Sequence, residues 1–268
     1  MHLSYSSALI FKDCAFKFKL QYLDKIPFDK GSIHTAFGNA IHSTIQFLLI
    51  NKNSGTEYDL ESVFKNIFKK SIKELSKPLL KDILSDKNLK SLIKDMFKCG
   101  SELSNLAVLE LYKKFPQFEI IAIEGKITEP IIGYMKSDFE FKGILDLVIK
   151  TPDNIIHVID WKTTSWGWDV KKKSDTWTNY QLAFYKHYFT QQMNVDVETV
   201  KTYFALIKRT CKRPEEKIEF IETTVGKKKI NNALNVLNNM AYNVDHKNFP
   251  KNKLSCKYCP FVKSKWCC

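Results

Sequence analysis

Glycine and proline are scarce, at 9 and 8 of 268 residues, and no low-complexity stretch or fixed-period repeat breaks the chain. A long flexible linker and a solenoid architecture are thereby excluded. No apolar run approaches the roughly 20 residues of a membrane span; Ile41 to Ile50 is interrupted by His42, Ser43, Thr44 and Gln46. The amino terminus, Met1-His2-Leu3-Ser4, lacks a charged and then apolar leader with a small-residue cleavage site, so a cytoplasmic protein is expected, without membrane association. Acidic residues are also in deficit, 29 Asp+Glu against 42 Lys+Arg, for a net charge of +13. That balance disfavours an enzyme of small acidic metabolites and points to a polyanion, nucleic acid first. A Lys- and Asn-rich composition also follows from base bias in a genome, so charge alone does not decide.

What is present is a chain long enough to bury an ample core without disulfides. It has seven cysteines, four of them within the last 13 residues. In a reducing compartment this crowding indicates a metal or iron–sulfur centre rather than a disulfide framework.

The first third reads as helical. Ser4 or Ser6 can cap a helix carrying Leu9, Phe11, Phe18 and Tyr22, and Phe37, Ile41, Ile45 and Leu48 recur at helical spacing after a loop marked by Pro27 and Gly31. Leu60, Val63, Phe64, Ile67, Phe68, Ile72 and Leu75 form an amphipathic stripe that Pro78 interrupts, and a further helical stretch runs through Leu92, Met96, Leu103 and Leu111. The period then drops to two. Strands are expected over 118–124, 127–134, 139–149 and 155–162, then a helix over 176–192, a strand over 200–207, an edge strand over 217–225 and a helix over 227–242. The class is α/β (α+β), with a helical region ahead of the sheet.

In Ile155-Ile156-His157-Val158-Ile159-Asp160-Trp161-Lys162, alternation puts Asp160 and Lys162 on one face with Ile156 and Val158. One strand earlier, Phe139, Phe141, Gly143, Leu145 and Leu147 share a face, and Asp146 lies opposite with Ile144 and Val148. If the strands pair, Asp146 and Asp160 converge. Two carboxylates on an apolar surface repel and lose hydration unless a cation sits between them, and oxygen ligands favour Mg²⁺ or Mn²⁺. The plain alternative is a salt bridge of Asp146 with Lys162 and a turn-capping Asp160.

Gly143-Ile144-Leu145-Asp146, a turn, and Ile159-Asp160-Trp161-Lys162 resemble the PD-(D/E)xK nuclease superfamily, and in particular its RecB-type exonuclease branch (AddB-like, CRISPR-associated and phage members). The resemblance implies a restriction-endonuclease-like core: a mixed central sheet flanked by helices, with an N-terminal helical region and a C-terminal cysteine cluster. It matches Gly38-x-x-x-His42 to the motif whose histidine ligates metal, Asp146 and Asp160 to the metal-binding carboxylates, and Lys162 to the catalytic lysine. Glu124 falls where a further catalytic acid often lies, and the carbonyl of Trp161 completes the metal ligands. Gln181-x-x-x-Tyr185 matches the final motif; i and i+4 place both on one helix face toward the metal or the DNA. Ile144 departs from the polar or basic residue many relatives carry there. Read without the resemblance, His42 is a hydrogen-bonded core histidine, Glu124 a solvated strand end and Tyr185 a core aromatic.

Cys256-x-x-Cys259 with Cys267 and Cys268 has metal-binding density. The segment from Ser6 to Tyr22 around Cys14 is similar to the start of iron–sulfur members of that branch, which implies a [4Fe–4S] cluster on Cys14, Cys256, Cys259 and Cys267, with Cys268 as a substitute for the last. Ala15, where relatives commonly carry proline, and the long gap from Cys259 to Cys267 depart from the pattern. A structural Zn²⁺ on the C-terminal cysteines, with His246, is the competing reading, and Cys99 and Cys211 are isolated thiols.

Trp161, Trp166, Trp168 and Trp177 interleave with Lys171-Lys172-Lys173. Aromatic faces stack bases and lysines track phosphates, which makes Trp166, Trp168 and Lys171 to Lys173 candidate DNA contacts, against a solvated loop with two core tryptophans. The expectation is one nuclease domain over 1–268: a helical region 1–115 with an arch over 55–115, a catalytic core 116–210, and an edge strand, helix and cysteine cluster over 211–268. Its activity would be metal-dependent hydrolysis of single-stranded DNA or DNA ends in recombination, repair or degradation, in a bacterium or phage-infected host. The rivals are a non-catalytic binding module on this fold, a restriction-type endonuclease and a cysteine-cluster redox protein.

Overall fold

The computed structural model describes all residues except 29, 30, 53, 134–137 and 268. A single two-residue strand, β1 (His2–Leu3), opens the chain, and Ser4 then caps α1 (Tyr5–Asp13). Ser4 and Ser7 exchange side-chain-to-backbone hydrogen bonds, a reciprocal cap that selects Ser4 over Ser6. Cys14 ends that helix and caps α2 (Ala15–Phe18), which runs into a π-helical turn, Lys19–Leu23. Four helices follow: α3 (Ile33–Asn51), α4 (Leu60–Lys73), α5 (Lys77–Ser85) and α6 (Lys87–Lys114). Pro78 acts as a start as well as a break. It sits in the first turn of α5, where its missing N–H has no helical partner to lose.

The sheet comprises β1, β2 (Glu119–Pro130), β3 (Glu140–Lys150), β4 (Ile156–Thr164), β5 (Val200–Lys208) and β6 (Ile218–Glu222). The two strands expected over 118–124 and 127–134 are one. The period-two pattern is broken within β2 by a register shift between Ile120 and Ala122 and by a left-handed Glu124, φ +50°, and not by a turn. Tyr134, the expected end of the second strand, lies outside the described residues. Antiparallel β2–β3 and β3–β4 pairs are followed by a parallel β4–β5 pair, with α7 (Val170–Ser174) and α8 (Thr176–Met193) in the crossover. β6 closes the edge antiparallel to β5, and α9 (Lys227–Asp245) follows. The expected mixed sheet flanked by helices is the architecture found, and among the described residues no helix is long and apolar enough to cross a membrane.

Two apolar cores lie on opposite faces of the sheet. One joins Phe141, Leu145, Val148 and Val158 to Leu182, Phe184 and Tyr188 of α8 and Leu237 of α9; the other joins Leu147, Ile149, Ile159 and Trp161 to α3, α4 and α6. Leu145 and Leu147 therefore belong to different cores. Strict alternation, which puts Leu147 with Phe141 and Val148 with Asp146, fails at Asp146 because β3 changes its pairing there. From Leu147 onward β3 holds β2 on one edge and β4 on the other, whereas before it the β4 ladder has stopped.

Candidate active site

The β3–β4 ladder ends at the pair Leu147–Ile159, so the next residues on each strand, Asp146 and Asp160, stand at the fork where the strands part. A backbone bond spans the fork: the Trp161 N–H donates to Asp146 Oδ2 at 2.8 Å. On the other side of β3, Glu124 falls between the register pairs Ile123–Leu147 and Gly125–Leu145, across from Asp146. Its left-handed backbone is a conformation non-glycine residues adopt rarely and keep at sites where a side chain must be aimed.

α3 supplies His42 from the second core's side. Its Nδ1 lies 3.6 Å from Asp146 Oδ2. The helix comes this close because of Gly38, one turn earlier: a Cβ there would stand 2.9 Å from Thr163 Oγ1 of β4. From the opposite face, α8 presents Gln181, whose Nε2 donates to Asp160 Oδ1 at 2.7 Å and to the Tyr185 hydroxyl at 3.1 Å. Gly143 leaves room for that tyrosine, since a Cβ on it would be 3.1 Å from Tyr185 Cε1. Lys162 Nζ pairs with Asp160 Oδ2 at 2.6 Å, and Asp160 is 2% exposed.

Negative charge is concentrated here beyond what the cations offset. Burial first, then Asp160 and Glu124, push the Asp146 carboxyl well above the usual range, against the pull of Lys162 and the Trp161 N–H. Partial burial also raises Glu124. Burial holds the His42 imidazole below its ordinary value, with Lys162 adding and Asp160 opposing, which favours the neutral form able to ligate a metal. Among the described residues, His42, Glu124 and Asp146 are the group that brings three ligand atoms within 4.8 Å of one another. One nitrogen and carboxylate oxygens around an under-compensated buried acid suit a hard divalent cation.

These side chains open into a cleft of about 910 Å³ lined by His42, Glu124, Asp146, Asp160, Lys162, Gln181 and Tyr185. Sequence reasoning overlooked the rest of its wall. Asn39, Ser43 and Gln46 continue a polar stripe with His42 on an otherwise apolar α3, a spacing that was there to be read. Ile67, Lys70 and Ser71 of α4 and Glu74, which caps it, also line the cleft.

The Trp/Lys segment lies outside that lining. Trp166 is 71% exposed, Trp168 packs edge-on against Phe204, Lys172 binds the Thr178 hydroxyl at 2.8 Å, and Lys173 is tied to Glu219 at 2.5 Å. At the chain ends, the Asn252 N–H donates to Cys14 Sγ at 3.4 Å and the Asn252 amide to the Asp13 carbonyl at 2.8 Å. Cys14, Cys256, Cys259 and Cys267 line one cavity of about 40 Å³, though their sulfurs do not form a group as tight as the carboxylate site. Cys268 is outside the described residues. His246 does not line that cavity; its ring stacks on Tyr242 at 4.0 Å.

No curated protein matches the sequence. Among solved structures, the "Putative exonuclease" from Eubacterium rectale superposes with a TM-score of 0.57 at 15% identity, covering 98% of this chain and 88% of that one, a likeness of fold. SSO0001 matches with a TM-score of 0.38 at 14% identity over 83% of this chain and 91% of that one. The family comparison reaches further, because residues 2–268 match as a whole. The chain belongs to the PD-(D/E)XK nuclease superfamily.

Proposed function

We propose that this nuclease is a Mg²⁺- or Mn²⁺-dependent exodeoxyribonuclease of the RecB-type branch. It would act on single-stranded DNA or DNA ends in recombination, repair or DNA degradation, as one domain over residues 1–268. The observation that carries the reading is the approach of His42, Glu124 and Asp146 within 4.8 Å in a cleft that also holds Asp160 and Lys162. His42, Asp146 and Asp160, with the Trp161 carbonyl, would hold the cation, with Glu124 beside them. The ion would supply Lewis-acid polarisation of the phosphodiester and acidify a bound water. Lys162 offsets charge developing on the phosphate. Gln181 keeps Asp160 in orientation and, with Tyr185, positions the strand. Trp166, Trp168, Lys171, Lys172 and Lys173 guide DNA outside the cleft. An end-directed mode agrees with the α4 residues that line the cleft beside the sheet's acids, and with the exonuclease name of the Eubacterium rectale protein.

The second part of the proposal is a [4Fe–4S] cluster on Cys14, Cys256, Cys259 and Cys267, stapling the two ends of the chain. Four thiols facing one cavity, with Lys17, Lys251 and Lys253 around it to offset thiolate charge, support that donor set over a carboxylate metal. A broad visible absorbance band from anaerobically purified protein is expected. A colourless protein with stoichiometric zinc refutes the cluster.

The deciding experiment is digestion of end-labelled single- and double-stranded DNA with Mg²⁺ or Mn²⁺, by the natural chain and by Asp160→Ala. Nucleotides or short oligomers released from ends by the former, and none by the latter with DNA binding retained, are expected. Internal bands mark a restriction-type endonuclease, and cleavage by Asp160→Ala removes the site assignment.

A further inference from the structure

A second cavity, of about 450 Å³, adjoins the cleft and shares three lining residues with it: Ser6, Ile144 and Tyr185. Its origin is in the sheet. The full-length β2 ladder occupies one edge of β3, so β1, which pairs at Glu140–Phe141, and β4, which pairs from Leu147 onward, must share the other. Between them, residues 142–146 of β3 have no strand partner on that edge, a window of roughly 16 Å at the rise of an extended chain.

Three side chains project along this window at alternate positions: Asp146 at the metal end, then Ile144, 43% exposed, then Lys142, also exposed. Across it stand Tyr5 and Tyr22, the latter 37% exposed and stacked on Phe18 with centroids 5.1 Å apart. Among the described residues no aspartate or glutamate lines this cavity, whereas the adjoining cleft has four. The wall therefore offers aromatic faces, an apolar shelf and a cation, and no repulsion to phosphate. Such a combination fits one occupant, a nucleotide of a single strand, whose base stacks on an aromatic face while its phosphate meets a lysine.

We propose that the nucleotide next to the scissile phosphate binds in this window, with its base against Tyr22, its sugar over Ile144 and its outer phosphate at Lys142. The inference rests on the nuclease reading for the position of the scissile phosphate. It gives Tyr22 and Lys142 a strand-binding role, which none of the catalytic or DNA-contact residues named above has been given at this end of the cleft.

The test is fluorescence anisotropy of a short labelled oligothymidylate with the full chain in a chelator, over a salt series, followed by cleavage with Mn²⁺. Tyr22→Ala is expected to weaken binding about tenfold and Tyr22→Phe to leave it unchanged, as stacking on a base requires. Lys142→Gln is expected to lower the slope of log affinity against log salt by about 0.7, the loss of one single-strand phosphate contact. Both sites are exposed, and unchanged melting temperatures check that the variants fold. Wild-type affinity and slope in both Tyr22→Ala and Lys142→Gln overturn the subsite while leaving the nuclease reading in place. Binding that falls in the variants but no cleavage by the natural chain overturns the nuclease reading alone. A natural chain that binds no strand overturns both.

Discussion

Trp161, two residues beyond the last β3–β4 pair, donates its backbone N–H at 2.8 Å to the carboxylate of Asp146, one residue beyond it. A side chain thus takes over the pairing that the backbone gives up. The consequence is a fork whose two arms are held at fixed separation with an acid on each, Asp146 and Asp160. α3 closes it from one face and α8 from the other. Each helix contributes one polar contact to a different acid: His42 approaches Asp146, and Gln181 binds Asp160. The two acids are therefore held by elements that belong to two separate cores.

Gly38→Ala tests how tightly α3 must dock. An added Cβ would meet Thr163 Oγ1 at 2.9 Å, forcing α3 away from β4 and His42 away from Asp146. Alanine is also the better helix former by about 1 kcal/mol, which offsets much of the strain in stability. Cleavage is expected to fall by about ten- to a hundredfold with a melting temperature near that of the natural chain, since small displacements of a catalytic group are costly. Adding Thr163→Ala removes the clashing oxygen and is expected to restore most of the rate. Steady-state kinetics of the two variants settle the matter, and an undiminished rate in Gly38→Ala would show that the close approach is not needed.

How much of this was legible beforehand depended on whether the signal was local. The helix and strand periods, the Asp160/Lys162 face and the i, i+4 relation of Gln181 and Tyr185 are short-range patterns, and each has its place in the cleft. The face assignment of Leu147 and Val148 failed because alternation assumes a strand with constant neighbours, and β3 exchanges one at Asp146. Fusion of two expected strands into β2 was hidden because a left-handed Glu124 interrupts the period of two without turning the chain. The α4 wall of the cleft and the window beside β1 arise from contacts between distant segments, which no spacing encodes.

His157 gives the fold an acid-sensitive point remote from the cleft. The residue is 6% exposed, its ring lies 4.5 Å from Phe115, and its Nε2 is 3.0 Å from Thr151 Oγ1. Burial, aided by Lys201 and Lys114 and opposed by Asp153 and Glu222, lowers its pKa to about 4. The unfolded chain, with an ordinary histidine, binds the proton at higher pH than the folded one. Its contribution is therefore fully present above about pH 6.5 and is lost as pH falls toward 4, by about 1–3 kcal/mol in all. Urea unfolding across that range should show this loss, and His157→Phe, which keeps an aromatic ring in the slot, should flatten it. An identical acid slope in both proteins would assign the effect to other groups.

Asp146→Asn separates the metal role of the fork from its structural one. The amide oxygen can still accept the Trp161 N–H, while the substitution removes a half-buried carboxylate that faces Asp160 and Glu124. In metal-free protein the variant is expected to melt at or above the natural chain, by about 1 kcal/mol of stability, because crowded, partly desolvated like charges oppose folding. Cation binding reverses the order. A ligand at a hundred times its dissociation constant stabilises the folded state by about 2.7 kcal/mol, equivalent to roughly 5–10 °C for a chain of this size. Mg²⁺ or Mn²⁺ added without DNA should thus raise the melting temperature of the natural chain and leave Asp146→Asn unmoved, with cleavage lost in the variant. Scanning calorimetry of both proteins in chelator and in saturating metal measures all four states. Equal metal-induced shifts in the two proteins would place the ion elsewhere.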